Sequence, residues 1–339
     1  MTKSQLTAPQ HEPLDPSSRA ERNASGGRAR PIVARVLQVF AVLFVVSMAA
    51  FWLVQVVPGD PGRNALGAHA TPAQIQAWNV RNGLDGGIAE RYLQWLTGFV
   101  QGNWGTSLVF GEPVVDLVSS RLYNSIVVGL IAFAIAGFAA ALLGCLQAYT
   151  EGRKIDRTLT MALSAISALP EFVVGVVLLL FFSIVLGVVP TRPSITGDSL
   201  RVPLSSMVLP ATVLALAYIP IISRMVRTGV VGALNAPYHR TAVLKGLPPL
   251  RVVTHHVARN AMIPTVSLLG ISLGALLSGN AVVEWVFGYP GLGALTVTAA
   301  VKKDVFLLES CVMVIGISCL LIILLSDVMV VWLDRRIEL

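Results

Sequence analysis

One carboxylate, Glu171, stands inside an otherwise apolar run from Thr158 to Pro190. If the run is one continuous span, about 13 residues at about 1.5 Å each put this group near mid-bilayer. A carboxylate facing lipid there costs roughly 3 kcal/mol or more, so it must face a bundle interior, pair, or hold a proton. Two readings stand side by side. Glu171 and Pro170 line a path across the membrane, or the carboxyl repairs the hydrogen bond that Pro170 removes. Asp327, about two turns before the end of the last apolar run, reads as an inter-helix hydrogen bond. The sequence holds no GxxxxGK[ST] phosphate loop and no HExxH, GxSxG or CxxC. Cys145, Cys311 and Cys319 fall inside apolar runs and read as small core hydrophobes. His255 and His256 are adjacent, so they point to different sides of a helix and form no metal site. No catalytic residue, metal site or cofactor is assigned, and the chain does not read as an enzyme.

The elements that must position Glu171 are membrane helices. The 339 residues are 55% hydrophobic and only 13% charged, with mean hydropathy +0.73, which excludes a soluble globule. Apolar runs of about 18 residues or more mark spans. Six fit: Val36–Val57, Leu122–Thr150, Thr158–Pro190, Val202–Ser223, Ala261–Val283 and Val305–Leu333. The expected fold is all-α, a polytopic membrane protein with six transmembrane helices. The net charge of +7 does not point to nucleic acid, because the basic residues gather beside spans rather than on an aromatic-laced stripe. Their distribution puts both termini in the cytoplasm. Residues 1–30 are poor in large apolar groups and read as a disordered cytoplasmic tail before a membrane domain over 31–339. The first apolar run is of full span length and ends in PGDP, so it reads as a retained helix rather than a cleaved signal.

Two polar segments stand out. In residues 58–121, expected outside, Thr71, Pro72 and Gln74 make a capping-box helix start. Ile88, Tyr92, Trp95, Leu96 and Phe99 then repeat at helical spacing, and Val114–Leu122 is mostly apolar. These read as short amphipathic helices, with Trp78, Trp95 and Trp104 suited to the membrane interface, or equally as a small packed core of their own in the same place. Residues 224–260 are expected inside, with Arg224, Arg227, Arg240, Lys245, Arg251 and Arg259 and no acidic residue. Their centre reads as a short helix with Asn235 as N-cap, Pro237 in the first turn and Gly246 as a left-handed stop. Tyr238, Ala242 and Lys245 share one face. Such a helix is marginal alone in water and calls for a docking partner, whereas composition alone reads first as the solvated basic loop of any polytopic protein.

Several motifs occur in order along the chain. They are PGDP at 58–61, ATPAQI at 70–75, LD at 84–85, RYLQWL at 91–96 and GNWGTSL at 102–108. Then come YHRTAVLKGL at 238–247, RNAMIP at 259–264, VEWVFGYPGLG at 283–293 and LDRRIE at 333–338. From about Arg35 to Leu339 the chain resembles the inner-membrane permease subunits of ATP-binding-cassette importers for peptides and nickel, in the dipeptide/oligopeptide permease B branch. It departs from that family at Val243 and Leu244, where Arg-Ala is usual. It departs again at Gly86 and Gly87, which replace a proline.

The resemblance implies a type I importer permease architecture and binding-protein-dependent transport at a bacterial inner membrane. It implies a second homologous permease subunit, two cytoplasmic ATP-binding subunits that hold the ATP, and an extracytoplasmic solute-binding protein. Tyr238, Arg240, Thr241, Ala242, Lys245, Gly246 and Leu247 would couple to the ATPase. Glu284, Tyr289, Pro290 and Gly291 would form an outer gate or a contact with the binding protein. Peptide is favoured over nickel, because the outer segments hold only His69 as an imidazole and no cysteine. An ion-coupled transporter or channel using Glu171, and a membrane scaffold with no path, are the alternative classes.

Overall fold

The computed structural model describes residues 29–56, 60–67, 69–188, 202–248, 251–277 and 281–333. The N-terminal tail, the outer segment 191–201 and the LDRRIE run from 334 onward lie outside the described residues, as do the side chains of Asp327, Arg259 and the His255–His256 pair. Among the described residues there is no strand, only an isolated bridge between Thr106 and Pro113.

Helix α1 (Ala29–Val56) is followed by three short helices, α2 (Pro61–Leu66), α3 (Pro72–Arg81) and α4 (Ile88–Val100). Asp60 caps α2 by accepting from the backbone N–H groups of Gly62 at 2.9 Å and Arg63 at 3.2 Å. The Asn79 side chain of α3 donates to the same carboxylate at 3.0 Å. That side-chain bond, helped by the backbone donors, holds the Asp60 carboxyl below its ordinary range. The capping box forms as expected: Thr71 N donates to Gln74 Oε1 at 2.9 Å and Gln74 N to Thr71 Oγ1 at 3.3 Å. Helix α4 lays its aromatic face against α1. Tyr92 Oη and Ser47 Oγ lie 2.7 Å apart, and the Phe51 ring meets Tyr92 edge-on at 5.5 Å.

Helix α5 (Val114–Tyr149) is one unbroken helix of 36 residues. The expected separation of Val114–Leu122 from the second span is therefore corrected. No residue in this stretch breaks the helix, and at about 54 Å it outruns a hydrocarbon core of about 30 Å. Helix α8 (Leu204–Asn235, 32 residues) carries Pro210 and Pro220 inside it and forms with α5 the most extensive helix pairing among the described residues. The two approach closely where glycine permits: a Cβ on Gly144 would stand 2.6 Å from the Ser223 carbonyl oxygen. Exposed Leu130, Phe138 and Leu142 form a stripe along the outside of α5, suited to lipid or to another subunit.

The third apolar run is two helices, α6 (Lys154–Ser167) and α7 (Glu171–Leu179), bent by 95° and continued by a π-helical turn over Leu180–Val185. Beyond α8 lie α9 (Pro237–Leu244), a second π-helical segment (Val252–Ala258) and α10 (Arg259–Leu277). Then come α11 (Ala281–Val286), α12 (Leu292–Lys302) and α13 (Val305–Leu333). Among the described residues four helical stretches are long and apolar enough to cross a bilayer, and the bent α6–α7 pair makes a fifth. Helix α1 adds a shorter apolar stretch, Leu37–Trp52. Five of the six expected spans fall on one helix each and the third on a bent pair, which fits six spans without counting them outright, and the architecture is an all-α polytopic membrane protein.

Apolar clusters follow the α5–α8 axis. One joins the start of α5 to α12 and α13 through Val118, Leu292 and Leu307. A second sets Phe287 and Tyr289 against Val128 and Leu214. At the opposite end, Ala148, Val230, Ala233, Ala242, Val252 and Ala261 close the bundle around α9.

Candidate functional site

Helix α9 is a projection anchored on one side. Ala242 is buried against the ends of α5, α8 and α10, whereas Tyr238, Arg240, Thr241 and Lys245 are exposed. Val243 and Leu244 are 55% and 79% exposed, so the two positions that depart from the resembled family form an apolar tip. The helix ends as its sequence demands. Gly246 has φ +70°, its N–H donates to Val243 O at 2.9 Å, and Leu247 N donates to Ala242 O at 3.4 Å. This pair of bonds is a Schellman stop, in which glycine takes the left-handed position at little cost.

The N-cap expectation is corrected. Asn235 is the last residue of α8, and the extended residue that caps α9 is Ala236 (φ −74°, ψ 148°), with Pro237 at the first helical position. The reason is steric, since a residue preceding proline is pushed out of the helical region.

Behind α9, polar side chains tie three helices together. Arg227 of α8 grips Asp156 of α6 with two bonds, Nε to Oδ1 at 2.9 Å and Nη2 to Oδ2 at 2.8 Å. The Gly152 N–H adds a bond of 3.1 Å to that carboxylate. One turn toward the core, Ser223 Oγ donates to Gln147 Oε1 at 2.9 Å, and Gln147 Nε2 donates to Thr160 Oγ1 at 3.0 Å. A bidentate arginine–carboxylate pair fixes orientation as well as distance. These bonds hold the inner ends of α5, α6 and α8 in fixed relation to one another.

Glu171 occupies the first turn of α7, half-buried, with Pro170 as N-cap. The mid-span depth reading assumed a continuous helix and is replaced by a carboxylate at the start of a new one, where the helix dipole favours it. Pro170 ends no helix from within, so there is no broken bond for the carboxyl to repair. The Tyr218 phenol of α8 lies within electrostatic reach of Glu171.

At the other end, Glu284 is 2% exposed and Tyr289 1%, and Pro290 and Gly291 are buried as well. None of the four offers its side chain to a docking protein in this conformation. They lock the loop onto α5 instead. Ser125 Oγ donates to Glu284 Oε1 at 2.7 Å and accepts from Leu292 N at 2.7 Å, and Ala294 N donates to Glu284 Oε2 at 2.8 Å. The N-terminus of α12, which has no side-chain cap of its own, is thus satisfied by a carboxylate from α11 and a hydroxyl from α5. Tyr289 Oη donates to Asn124 O at 2.9 Å, and Asn124 Nδ2 donates to Pro290 O at 2.9 Å. Burial raises the Tyr289 phenol above its ordinary value, with the Glu284 carboxyl adding to the effect, so it remains a neutral donor. Gly293 is required by space, because a Cβ there would stand 2.7 Å from Ala281 Cα.

Sequence reasoning did not pair Asp156 with Arg227, nor Ser107 with Asp304. Asp304 caps α13 through Leu307 N at 3.2 Å, and it accepts from Ser107 Oγ at 2.5 Å and Val109 N at 3.1 Å. The GNWGTSL segment is thereby pinned to the start of the last span. An aspartate directly before an apolar helical run is an N-cap signal that could have revealed it.

Among the described residues the chain is a multi-span helical bundle with a short helix projecting from one end, the build of a membrane component. The chain belongs to the family of binding-protein-dependent transport system inner membrane components, which it matches over residues 140–339. The N-terminal domain of such membrane components matches residues 29–113. It is 34% identical over 302 residues to the glutathione transport system permease protein GsiC of Escherichia coli strain K12, covering 88% of this chain and 95% of that protein. The corresponding protein of Shigella boydii serotype 4 strain Sb227 is 35% identical over 303 residues, with the same coverage. In fold, the chain resembles the inward-facing MetNI methionine ABC transporter at TM-score 0.54 and 18% identity, over 66% of this chain and 99% of that one. The protein is a permease subunit of an ATP-binding-cassette importer, a multi-pass membrane component rather than the ATPase. Membership implies a partner permease, ATPase subunits and a binding protein, and it does not favour an ion-coupled transporter.

Proposed function

We propose that this subunit forms half of a path for short peptides and that α9 is where the cytoplasmic ATPase drives it. The observation that carries the coupling role is the exposed tip of α9, Val243 and Leu244, on a helix whose one buried residue, Ala242, packs into the inner end of the bundle. An apolar projection of this kind is stable in the cytoplasm when a groove covers it. Tyr238, Arg240, Thr241, Lys245, Gly246 and Leu247 complete the docking surface. On this reading both termini are cytoplasmic, two ATP-binding subunits sit beneath a pair of permeases, and ATP is bound by those partners alone.

The likeness to a glutathione permease supports peptide as the solute, glutathione being a tripeptide. Pro170 and Glu171 line the path at the bend between α6 and α7. Glu284, Tyr289, Pro290 and Gly291 form the rigid frame of an outer gate. The complete importer, reconstituted in vesicles with its binding protein, should accumulate a labelled di- or tripeptide only with ATP, and unlabelled peptide should compete where Ni²⁺ does not. Accumulation of Ni²⁺ in place of peptide would overturn the solute assignment. In the same vesicles Glu171→Gln should assemble at wild-type abundance and change the uptake rate severalfold. Unaltered uptake would remove Glu171 from the path.

A further inference from the structure

At the end of the bundle that carries residues 60–113, a cavity of about 500 Å³ opens between α1, α4, the segment after α4 and the start of α13. Trp78, Trp95, Phe99 and Trp104 line it together with Arg91 and Glu309. The rings are ordered against one another, with Trp95 and Phe99 6.0 Å apart and Phe99 and Trp104 stacked at 4.8 Å and 4°. The Trp104 indole N–H is occupied by Phe99 O at 2.9 Å, so this ring adds apolar surface rather than a donor to the wall.

Glu309 is 3% exposed, and what remains open of it faces this cavity. Among the described residues Arg91 supplies the charge opposite it, and no hydrogen bond reaches its carboxyl. The Arg91 guanidinium also lies 6.0 Å from the Phe51 ring centroid. A carboxylate this deeply buried calls for hydrogen-bond donors beyond one distributed charge. Aromatic faces beside it suit a cation. A cavity of this size with aromatic walls and a few converging polar groups has the make-up of a small-molecule site.

We propose that this cavity binds a zwitterion whose primary ammonium group is held by Glu309 and whose anionic group is held by Arg91. A free amino acid or short peptide has this chemistry, and so does a phosphatidylethanolamine headgroup. The site involves neither α9 nor Glu171, so the inference stands whichever solute the importer carries.

The test uses the full-length chain in phosphatidylglycerol nanodiscs, with tryptophan fluorescence as the readout because three of the six tryptophans line the cavity. In one arm dialanine is titrated, with N-acetyl-dialanine methylamide as the uncharged control. In the other, phosphatidylethanolamine is added to the bilayer. A saturable change with dialanine but not with the control assigns the site to a free zwitterion. A change only with phosphatidylethanolamine assigns it to the lipid. Either response should weaken about tenfold or more in Glu309→Gln, since one partner of a buried charge contact is lost. Should that variant fail to fold, Arg91→Gln serves in its place, and the charged-against-blocked comparison on the unaltered chain still decides. No response in either arm, an equal response to the blocked dipeptide, or an undiminished response in the variants would overturn the proposal.

Discussion

Gly246→Asp is expected to insert at normal levels and to lose about tenfold in substrate-stimulated ATP hydrolysis and in uptake. No heavy atom would stand within 4 Å of a Cβ at this position, so the variant meets no steric clash. The backbone sets the penalty. At φ +70° a side chain costs about 1 kcal/mol, somewhat less for aspartate than for most residues. The new carboxylate sits at the negative end of the α9 dipole, which adds about 0.3–1 kcal/mol. Whether the chain bears the strain or unravels the last turn of α9, the cost falls on the docked geometry, and about 1.4 kcal/mol is tenfold in a binding equilibrium. Gly246→Asn separates the two contributions, because asparagine tolerates the left-handed region without the charge and should retain most activity. The assay pairs membrane abundance with ATPase stimulation by loaded binding protein in reconstituted vesicles. Normal stimulation by Gly246→Asp at normal abundance would remove α9 as the coupling element.

Much of this helix was legible in the sequence because its signals are local. Pro237, Gly246 and the capping box at Thr71 and Gln74 act within four residues of themselves, and the structure realises each of them. Asn235 misled for a local reason as well, since its preference for a cap competes with the steric effect of Pro237 on Ala236, and the proline prevails. Glu171 misled because hydropathy reports depth along a run but is blind to a 95° bend within it. The long-range pairs were not legible. Asp156 with Arg227 and Ser107 with Asp304 are 71 and 197 residues apart. Arg227 counts toward the positive-inside rule whether or not it has a partner, so the rule carries no trace of the pair. The VEWVFGYPGLG segment stood out as turn-rich and apolar, but only the fold explains its charge. Glu284 is the cap of a helix that begins eight residues later.

That cap gives the largest expected effect on stability. Glu284→Ala removes the acceptor for Ser125 Oγ and Ala294 N, both at a buried site. It also removes the charge facing Arg121, which lies one turn before Asn124 and Ser125 on α5. Removing one partner of a buried charge contact costs about 3–5 kcal/mol, because the groups left behind stay desolvated. Glu284→Gln should lose less, since one amide oxygen can still accept while the amide nitrogen faces a donor. Ser125→Ala should cost about 1–3 kcal/mol, because it strands Leu292 N and one carboxylate oxygen. If Glu284 and Ser125 act as one cap, the double variant should be less damaged than the sum of the two, with a coupling of about 0.5–3 kcal/mol. The measurement is unfolding of the full chain in nanodiscs for the wild type, both single variants and the double. α12 connects this cap to the Asp304 anchor of the last span, so the damage should spread there. Protease access at the start of α13 should rise in Glu284→Ala before the rest of the bundle opens. Stability within about 0.5 kcal/mol of wild type for Glu284→Ala, the range of ordinary surface substitutions, would mean that α12 is held by its apolar contacts alone and that the buried carboxylate serves some other end.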